Sequence, residues 1–293
     1  MILSPGKTTI GFIGIGVMGK SMAGHLLKAG YKLHIFTRKK SKASELYRNG
    51  AIWEESVADL SEKCDVIITM VGYPHDVHEI YLEKGGIIEN AKPGTLAIDM
   101  TTSSPELAEK IYNAGKKMSV EVLDAPVSGG DTGARNASLS IMVGGDEHTF
   151  TRAYPLFEIM GTNIVFQGGA GSGQHTKIAN QMVIAAGMVA VCESLAYTGK
   201  AGLDPEKVLE SIGKGAAGSW TLNTLGPRMI KGDFEPGFYV KHFIKDMDIA
   251  INSSKALGLE TPGLILARSL YQKLADQGYE NKGTQILYKL FTE

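Results

Sequence analysis

From residue 8 to about residue 167 the chain alternates short apolar, β-branched runs with stretches whose apolar positions recur at helical spacing. The runs at 9–13, 32–36, 65–69, 96–99, 120–124, 139–143 and 164–166 read as strands. Helical patterns fill the gaps between the early ones, at 19–29, 40–49, 75–82 and 105–118. Such alternation predicts right-handed crossovers, a mostly parallel sheet and helices on both of its faces. Beyond Gly171 the strand signals stop, and 205–214, 245–257, 262–277 and 283–290 read as helices. The expected organisation is therefore an α/β, Rossmann-type first domain over 1–168 and an all-α second domain over 169–293.

The second domain opens with the longest apolar stretch, 171–202, bounded by glycines at both ends and read as one long interdomain helix. Ala, Met, Ile and Val cover nearly all of its faces, as in a helix wrapped by protein. A membrane-spanning helix is the competing reading, and Lys177, Asn180, Gln181 and Glu193 within the run argue against it. Lys177 and Gln181 are four residues apart and share a helix face. A lysine early in a buried helix calls for a chemical reason.

Composition narrows the classes. With 293 residues, 43% hydrophobic and 21% charged, the chain has enough apolar material for two ordinary domains. The net charge of -1 offers no bulk attraction to nucleic acid or to an anionic membrane, so anion recognition must be local. Two distant cysteines, Cys64 and Cys192, fit neither a disulfide framework nor a metal spacing and suggest a reducing compartment. The opening MILSPGKTTI carries no secretion-signal pattern, and a cytoplasmic location is expected.

Four stretches carry chemistry. In GFIGIGVMG, Gly14, Gly16 and Gly19 form G-x-G-x-x-G between a strand and a helix. Gly14 permits the tight turn, Gly16 lets a pyrophosphate approach the backbone, and Gly19 lets the helix pack on the strand. The first N–H groups of that helix, around Val17 and Met18, face the phosphates. The bland alternative is a structural tight turn. At the end of the next strand stand Thr37, Arg38 and Lys39, where an NAD-selective protein carries an acid. Arg38 suits a 2′-phosphate, with Thr37 as a supporting donor, so NADP is expected in preference to NAD. A solvated basic helix start is the competing explanation.

The third stretch is DAPVSGG, 124–130, at the carboxyl end of a strand, where Ser128 and the N–H groups of Gly129 and Gly130 suit a substrate carboxylate, with a plain glycine-rich turn as the alternative. The fourth is DMTTSSP, 99–105, in which Ser103 or Ser104 caps a helix that Pro105 opens. Thr101 and Thr102 there are placed to border a nicotinamide, and Val71, past the 65–69 strand, is counted among the cofactor-binding residues. His75 and His78 have helical spacing but no companion ligands, so no metal is expected. VSGG is not a nucleophile elbow, which removes a serine-hydrolase reading of Ser128.

These motifs, in this order and over essentially the whole chain, resemble the β-hydroxyacid dehydrogenase family. That family includes 3-hydroxyisobutyrate dehydrogenase, tartronate semialdehyde reductase and glyoxylate/succinic semialdehyde reductases, with 6-phosphogluconate dehydrogenase a larger relative. Gly171-x-Gly173 followed by Lys177 is similar to the family's catalytic helix, and Lys245-Asp246 to its lysine-aspartate pair. The resemblance implies hydride transfer between NAD(P) and a small β-hydroxyacid or semialdehyde, with Lys177 as proton donor or acceptor. It also implies that Ser128, Gly129 and Gly130 hold the substrate and that Lys245 lies near the cofactor. The family commonly has Asn four residues after the lysine. Here Gln181 follows Asn180, which leaves both as candidate substrate contacts.

A protonated lysine neutralises the alkoxide that forms when hydride reaches an aldehyde, so reduction asks for less pKa tuning than oxidation. The expected activity is NADP-dependent reduction of a small semialdehyde or glyoxylate-like carboxylate. NAD(P)-dependent 3-hydroxyisobutyrate oxidation, imine reduction and a non-catalytic NADP-binding module are the alternatives. A homodimer or homotetramer, with no nucleic-acid or membrane partner, completes the expectation.

Overall fold

Alternation along the strands sorts their side chains into two cores. Ile10 and Phe12 join Val66, Ile68, Leu96, Ile98 and Leu123 on one side, while Ile13, Ile67, Ala97 and Val122 enter the other. With both faces covered, the strands need no polar side, which is why they read as continuous apolar runs. The structure, a computed structural model, describes residues 3–292. Met1 and Ile2, which open the stretch searched for a targeting signal, and Glu293 lie outside the described residues.

The sheet contains β1 (Thr9–Ile13), β2 (Lys32–Phe36), β3 (Ile52–Trp53), β4 (Val66–Thr69), β5 (Leu96–Asp99), β6 (Glu121–Asp124), β7 (Val127–Ser128), β8 (Leu139–Gly145) and β9 (Gly161–Gly168). Their order is β3-β2-β1-β4-β5-β6-β8-β7, with β9 on β8. Pairings from β3 through β6 are parallel, as is β8 with β9; β6 and β7 meet β8 antiparallel. The order reverses between β1 and β4, which places the crevice of an open α/β sheet at their carboxyl ends.

Helices α1 (Val17–Lys28), α2 (Ser44–Arg48), α3 (Val57–Ser61), α4 (Pro74–Leu82), α5 (Ile87–Asn90), α6 (Pro105–Lys117), α7 (Gly130–Arg135) and α8 (Glu147–Glu158) connect the strands. Met22, Ala23 and Leu26 of α1 pack into the first core; Val77, Tyr81 and Ile111 of α4 and α6 pack into the second. Ser104, rather than Ser103, caps α6, its side chain accepting the Leu107 N–H at 3.2 Å. The expected helix at 40–49 is instead a 3-10 turn, Lys40–Ala43, followed by α2, because Lys39 at its start supplies no side-chain acceptor for the first N–H groups. Helix α8, with Thr, His and Pro155 inside it, escapes the sequence pattern and is held by buried Ala153, Leu156 and Phe157.

The chain divides into two compact units, Met1–Lys177 and Ile178–Glu293, within the long helix α9 (Ser172–Lys200). In the second unit α10 (Pro205–Ile212), α11 (Gly226–Ile230), α12 (Val240–Ala256), α13 (Pro262–Asp276) and α14 (Lys289–Thr292) surround the remainder of α9. Helix α9 is long and apolar enough to cross a membrane by length and composition. Its Ile178, Ala185, Met188, Cys192 and Leu195 are nevertheless buried in the second unit's own core with Phe243, Met247 and Tyr271. Helix α12 starts five positions before the expected 245, since the N–H groups of Val240 and Lys241 bond the carbonyls of Lys282 and Glu280 and replace a side-chain cap. The expected 283–290 helix is largely a 3-10 turn, Thr284–Tyr288, where the Tyr271 hydroxyl donates to the Thr284 carbonyl at 2.7 Å.

The start of α9 belongs to the first unit because β6 holds it. Asp124 Oδ1 accepts the Gly171 N–H at 2.8 Å and Oδ2 the Gln174 N–H at 2.9 Å, so a carboxylate from a strand end caps the helix through space. Gly173 makes the approach possible: a Cβ there would lie 2.5 Å from the carbonyl oxygens of Asp124 and Met142. Burial pushes the Asp124 carboxyl up to about 6, against the lowering effect of the Gly171 and Gln174 N–H groups.

Two outcomes follow. Gly173→Ala forces backbone apart and destabilises the protein by about 3 kcal/mol, read as a lowered denaturation midpoint; an unchanged midpoint contradicts the close approach. The folded Asp124 carboxyl lies above its ordinary 3.8, so its stabilising contribution is full below that value and lost as pH rises through about 6. The unfolding free energy of the parent protein, compared with Asp124→Asn, should therefore fall by on the order of 2–3 kcal/mol between about pH 4 and 7, and a flat difference rejects it.

Candidate functional site

The turn after β1 is shaped by what its glycines exclude. Gly14 has φ 100° and donates its N–H to the Phe36 carbonyl at 3.0 Å; a Cβ on it would strike the Met70 carbonyl. At Gly16, by contrast, an added Cβ meets nothing within 4 Å. Gly16 is also the N-cap of α1, which has neither a side-chain cap nor an acid in its first turn. The N–H groups of exposed Val17, partly buried Met18 and buried Gly19 thus begin a helix whose positive end faces open space. This arrangement fits a pyrophosphate.

Beyond β2, Thr37 is half-buried and Arg38 and Lys39 are exposed. Arg38 Nη1 donates to Asp76 Oδ1 at 3.0 Å, so the guanidinium leans from the end of β2 to the first turn of α4. The sequence signals Asp76 only by its place at the third position of a Pro-started helix, which suits a cap.

The loops after β4 and β5 are tied to each other. Thr101 Oγ1 accepts the Val71 N–H at 3.0 Å, and Asp99 Oδ1 accepts the Thr101 N–H at 3.0 Å and the Thr69 hydroxyl at 2.8 Å. The Tyr81 hydroxyl reaches Thr69 at 3.1 Å, and burial raises its pKa well above the ordinary value. Thr101 is buried and its hydroxyl is engaged with Val71, so its part in shaping the crevice is to set the backbone.

Half-buried Ser128 ends β7, and Gly129 and Gly130, with φ 128° and 60°, turn the chain into α7. His25 of α1 secures the far end of that short helix: its Nε2 lies 2.9 Å from the Ala134 carbonyl and 3.1 Å from that of Arg135. Two carbonyl acceptors require this nitrogen to carry the proton. The glycine loop's helix and the Ser128 loop's helix are thereby linked, a role with no signal in the sequence.

Lys177 is 7% exposed and lies one turn beyond Gln174 on α9. Gln174 is fully buried; its Oε1 accepts the Ser103 N–H at 2.9 Å and its Nε2 donates to the Thr101 carbonyl at 2.8 Å. The side-chain amide therefore clamps the first turn of α9 to the loop after β5. Residues three apart share a helix face, so Lys177 lies on the side of α9 that Gln174 directs toward that loop.

In the second unit, Asn180 Nδ2 donates to Gln181 Oε1 at 2.7 Å, and Gln181 Nε2 donates to Asp246 Oδ2 at 2.6 Å. Lys245 Nζ lies 2.9 Å from Asp246 Oδ1, with both side chains largely buried. Buried Gln181 thus uses both ends of its amide within this chain of polar groups, whereas Asn180 is half-buried and acts in it through its nitrogen.

Other reactive side chains lead elsewhere. His75 is exposed and stacks on Tyr73, and His78 Nε2 faces Lys110 Nζ at 3.3 Å. Both cysteines are free and buried; burial pushes the Cys64 thiol up to about 12 and that of Cys192 strongly upward.

Residues 9–169 match the family described as the NAD binding domain of 6-phosphogluconate dehydrogenase, and residues 171–291 that described as NAD-binding of NADP-dependent 3-hydroxyisobutyrate dehydrogenase. An uncharacterized oxidoreductase of Bacillus subtilis is 60% identical over 98% of this chain and all of its own. The 2-hydroxy-3-oxopropionate reductase of Escherichia coli is 40% identical over 92% of each chain. The structure of Mycobacterium tuberculosis 3-hydroxyisobutyrate dehydrogenase with L-serine superposes over the full length of both chains with a TM-score of 0.90 at 31% identity. Two successive family matches and full-length relatives agree with the glycine turn, the clamped α9 and its buried lysine: the chain belongs to the β-hydroxyacid dehydrogenase family of NAD(P)-dependent oxidoreductases.

Proposed function

We propose that the chain is an NADP-dependent reductase of small semialdehyde or glyoxylate-like carboxylates, with Lys177 as the general acid. The observation that carries the reading is the clamp by Gln174, which fixes a buried ammonium one helical turn from the loop after β5 and, through Thr101, from Val71 after β4. The Escherichia coli relative, named for reducing 2-hydroxy-3-oxopropionate, a small carboxylate bearing an aldehyde, supports the substrate class.

The α1 N-terminus with Gly14 and Gly16 would hold the pyrophosphate and Arg38 the 2′-phosphate of NADPH, which supplies the hydride. Ser128 and the Gly129–Gly130 backbone orient the substrate carboxylate, restricting the carbonyl to one presentation. Lys177 Nζ donates its proton to the carbonyl oxygen as negative charge builds there, and takes it back in the oxidative direction. Burial of the lysine excludes water from the proton's path. Exposed Val183, Leu257, Leu259, Ile265 and Leu266 in the second unit support a homo-oligomer, the net charge of -1 supports an enzyme without a nucleic-acid or membrane partner, and the two free cysteines support a reducing, cytoplasmic setting.

Lys177→Ala should lower kcat by about 10²–10⁴-fold while NADPH affinity, measured by fluorescence titration, stays near the parent value; retained kcat rules out the general-acid role. Arg38→Asp should weaken NADPH binding by about tenfold or more and NADH binding far less. Equal losses for the two would sink the 2′-phosphate assignment.

A further inference from the structure

Arg38 is already engaged. Its partner carboxylate differs sharply from it in environment: the Arg38 side chain is 78% exposed and that of Asp76 5%. Asp76 is held independently of Arg38, because its Oδ2 accepts the Tyr73 N–H at 3.1 Å in the capping box of α4. The strand order gives the bond its significance. β2 and β4 flank β1, so an ion pair from the residues after β2 to the helix after β4 crosses the end of β1, where Gly14 and Gly16 turn the chain.

We infer that Asp76 is an internal competitor for the Arg38 guanidinium, a specificity-determining residue that weakens the preference for NADP and keeps NAD usable. This rests on the reading of Arg38 as the 2′-phosphate ligand. A guanidinium has five N–H donors, and one bond to Asp76 leaves others for a phosphate. A 2′-phosphate on the same group nonetheless lies well within a Debye length of the Asp76 carboxylate, whose burial limits screening by solvent. The two anions repel through the cation they share. A dinucleotide with a free 2′-hydroxyl meets no such repulsion and leaves the ion pair intact. Of the other basic side chains on this side, Lys39 and His75 are exposed, and the Lys39 charge offsets the repulsion weakly.

Asp76→Asn separates charge from capping, since its side-chain carbonyl still accepts the Tyr73 N–H; Asp76→Ser is a second charge-free variant. The full-length protein and variants are titrated calorimetrically with 2′,5′-ADP and with 5′-AMP, fragments that differ at the 2′ position and undergo no turnover. Removing the carboxylate should tighten 2′,5′-ADP by about two- to fivefold, leave 5′-AMP unchanged, and do so less at high salt. An unchanged or lowered 2′,5′-ADP to 5′-AMP preference in both variants overturns the inference. If the parent protein binds the two fragments alike and Arg38→Gln does not alter their ratio, the 2′-phosphate reading itself fails, and this inference with it.

Discussion

A buried carboxylate at a strand end holds the start of the helix that carries Lys177. Asp124 receives two N–H groups from the start of α9, one on each oxygen, and is enclosed so tightly that neither Gly144 nor Gly173 has room for a Cβ. Burial alone would disfavour the charge, and the unsatisfied N–H groups and positive end of the helix are what make it tolerable. Because α9 begins where β6 ends its ladder with β8, the position of Lys177 along the helix is set by the sheet and not by a flexible loop.

The same economy of polar groups shapes the crevice. The loops after β4 and β5 are joined by Thr101, which is positioned by Asp99, which is in turn bonded by Thr69. Gln174 then carries this framework onto α9. These side chains are buried and mutually satisfied, so their bonds specify geometry in a medium where an unmade bond is costly. The groups assigned to ligands differ from them. Gly16 faces open space and Arg38 stands in solvent. Rigid, satisfied residues thus support a small number of accessible ones.

Legibility in the sequence followed the range of the interactions involved. Strand positions in the first unit were readable because both faces of the sheet are buried, and the glycine turn because Gly14 and Gly19 answer local steric demands. Short elements such as β3, β7 and α7 lack a period long enough to register, and α8 contains residues that favour no helix on their own. The contacts of Asp76, Gln174, His25 and Asp246 were unreadable for a different reason. Their partners lie 38, 71, 109 and 65 positions away in the chain, and no spacing rule connects them.

The sequence by itself determined the two-part architecture, the glycine turn after β1, the arginine past β2 and the lysine near the start of a long apolar helix, because each is encoded in a local pattern of hydrophobicity, backbone freedom or charge. Only the tertiary structure decided how those parts are held. It commits Gln181 to Asp246 and leaves Asn180 half-buried, gives the first turns of α9 to the sheet-bearing unit, and pairs Arg38 with a carboxylate from another strand's helix. Hydrogen bonds and ion pairs take whatever partner the fold brings within about 3 Å, and that proximity is a property of packing, which the order of residues does not display.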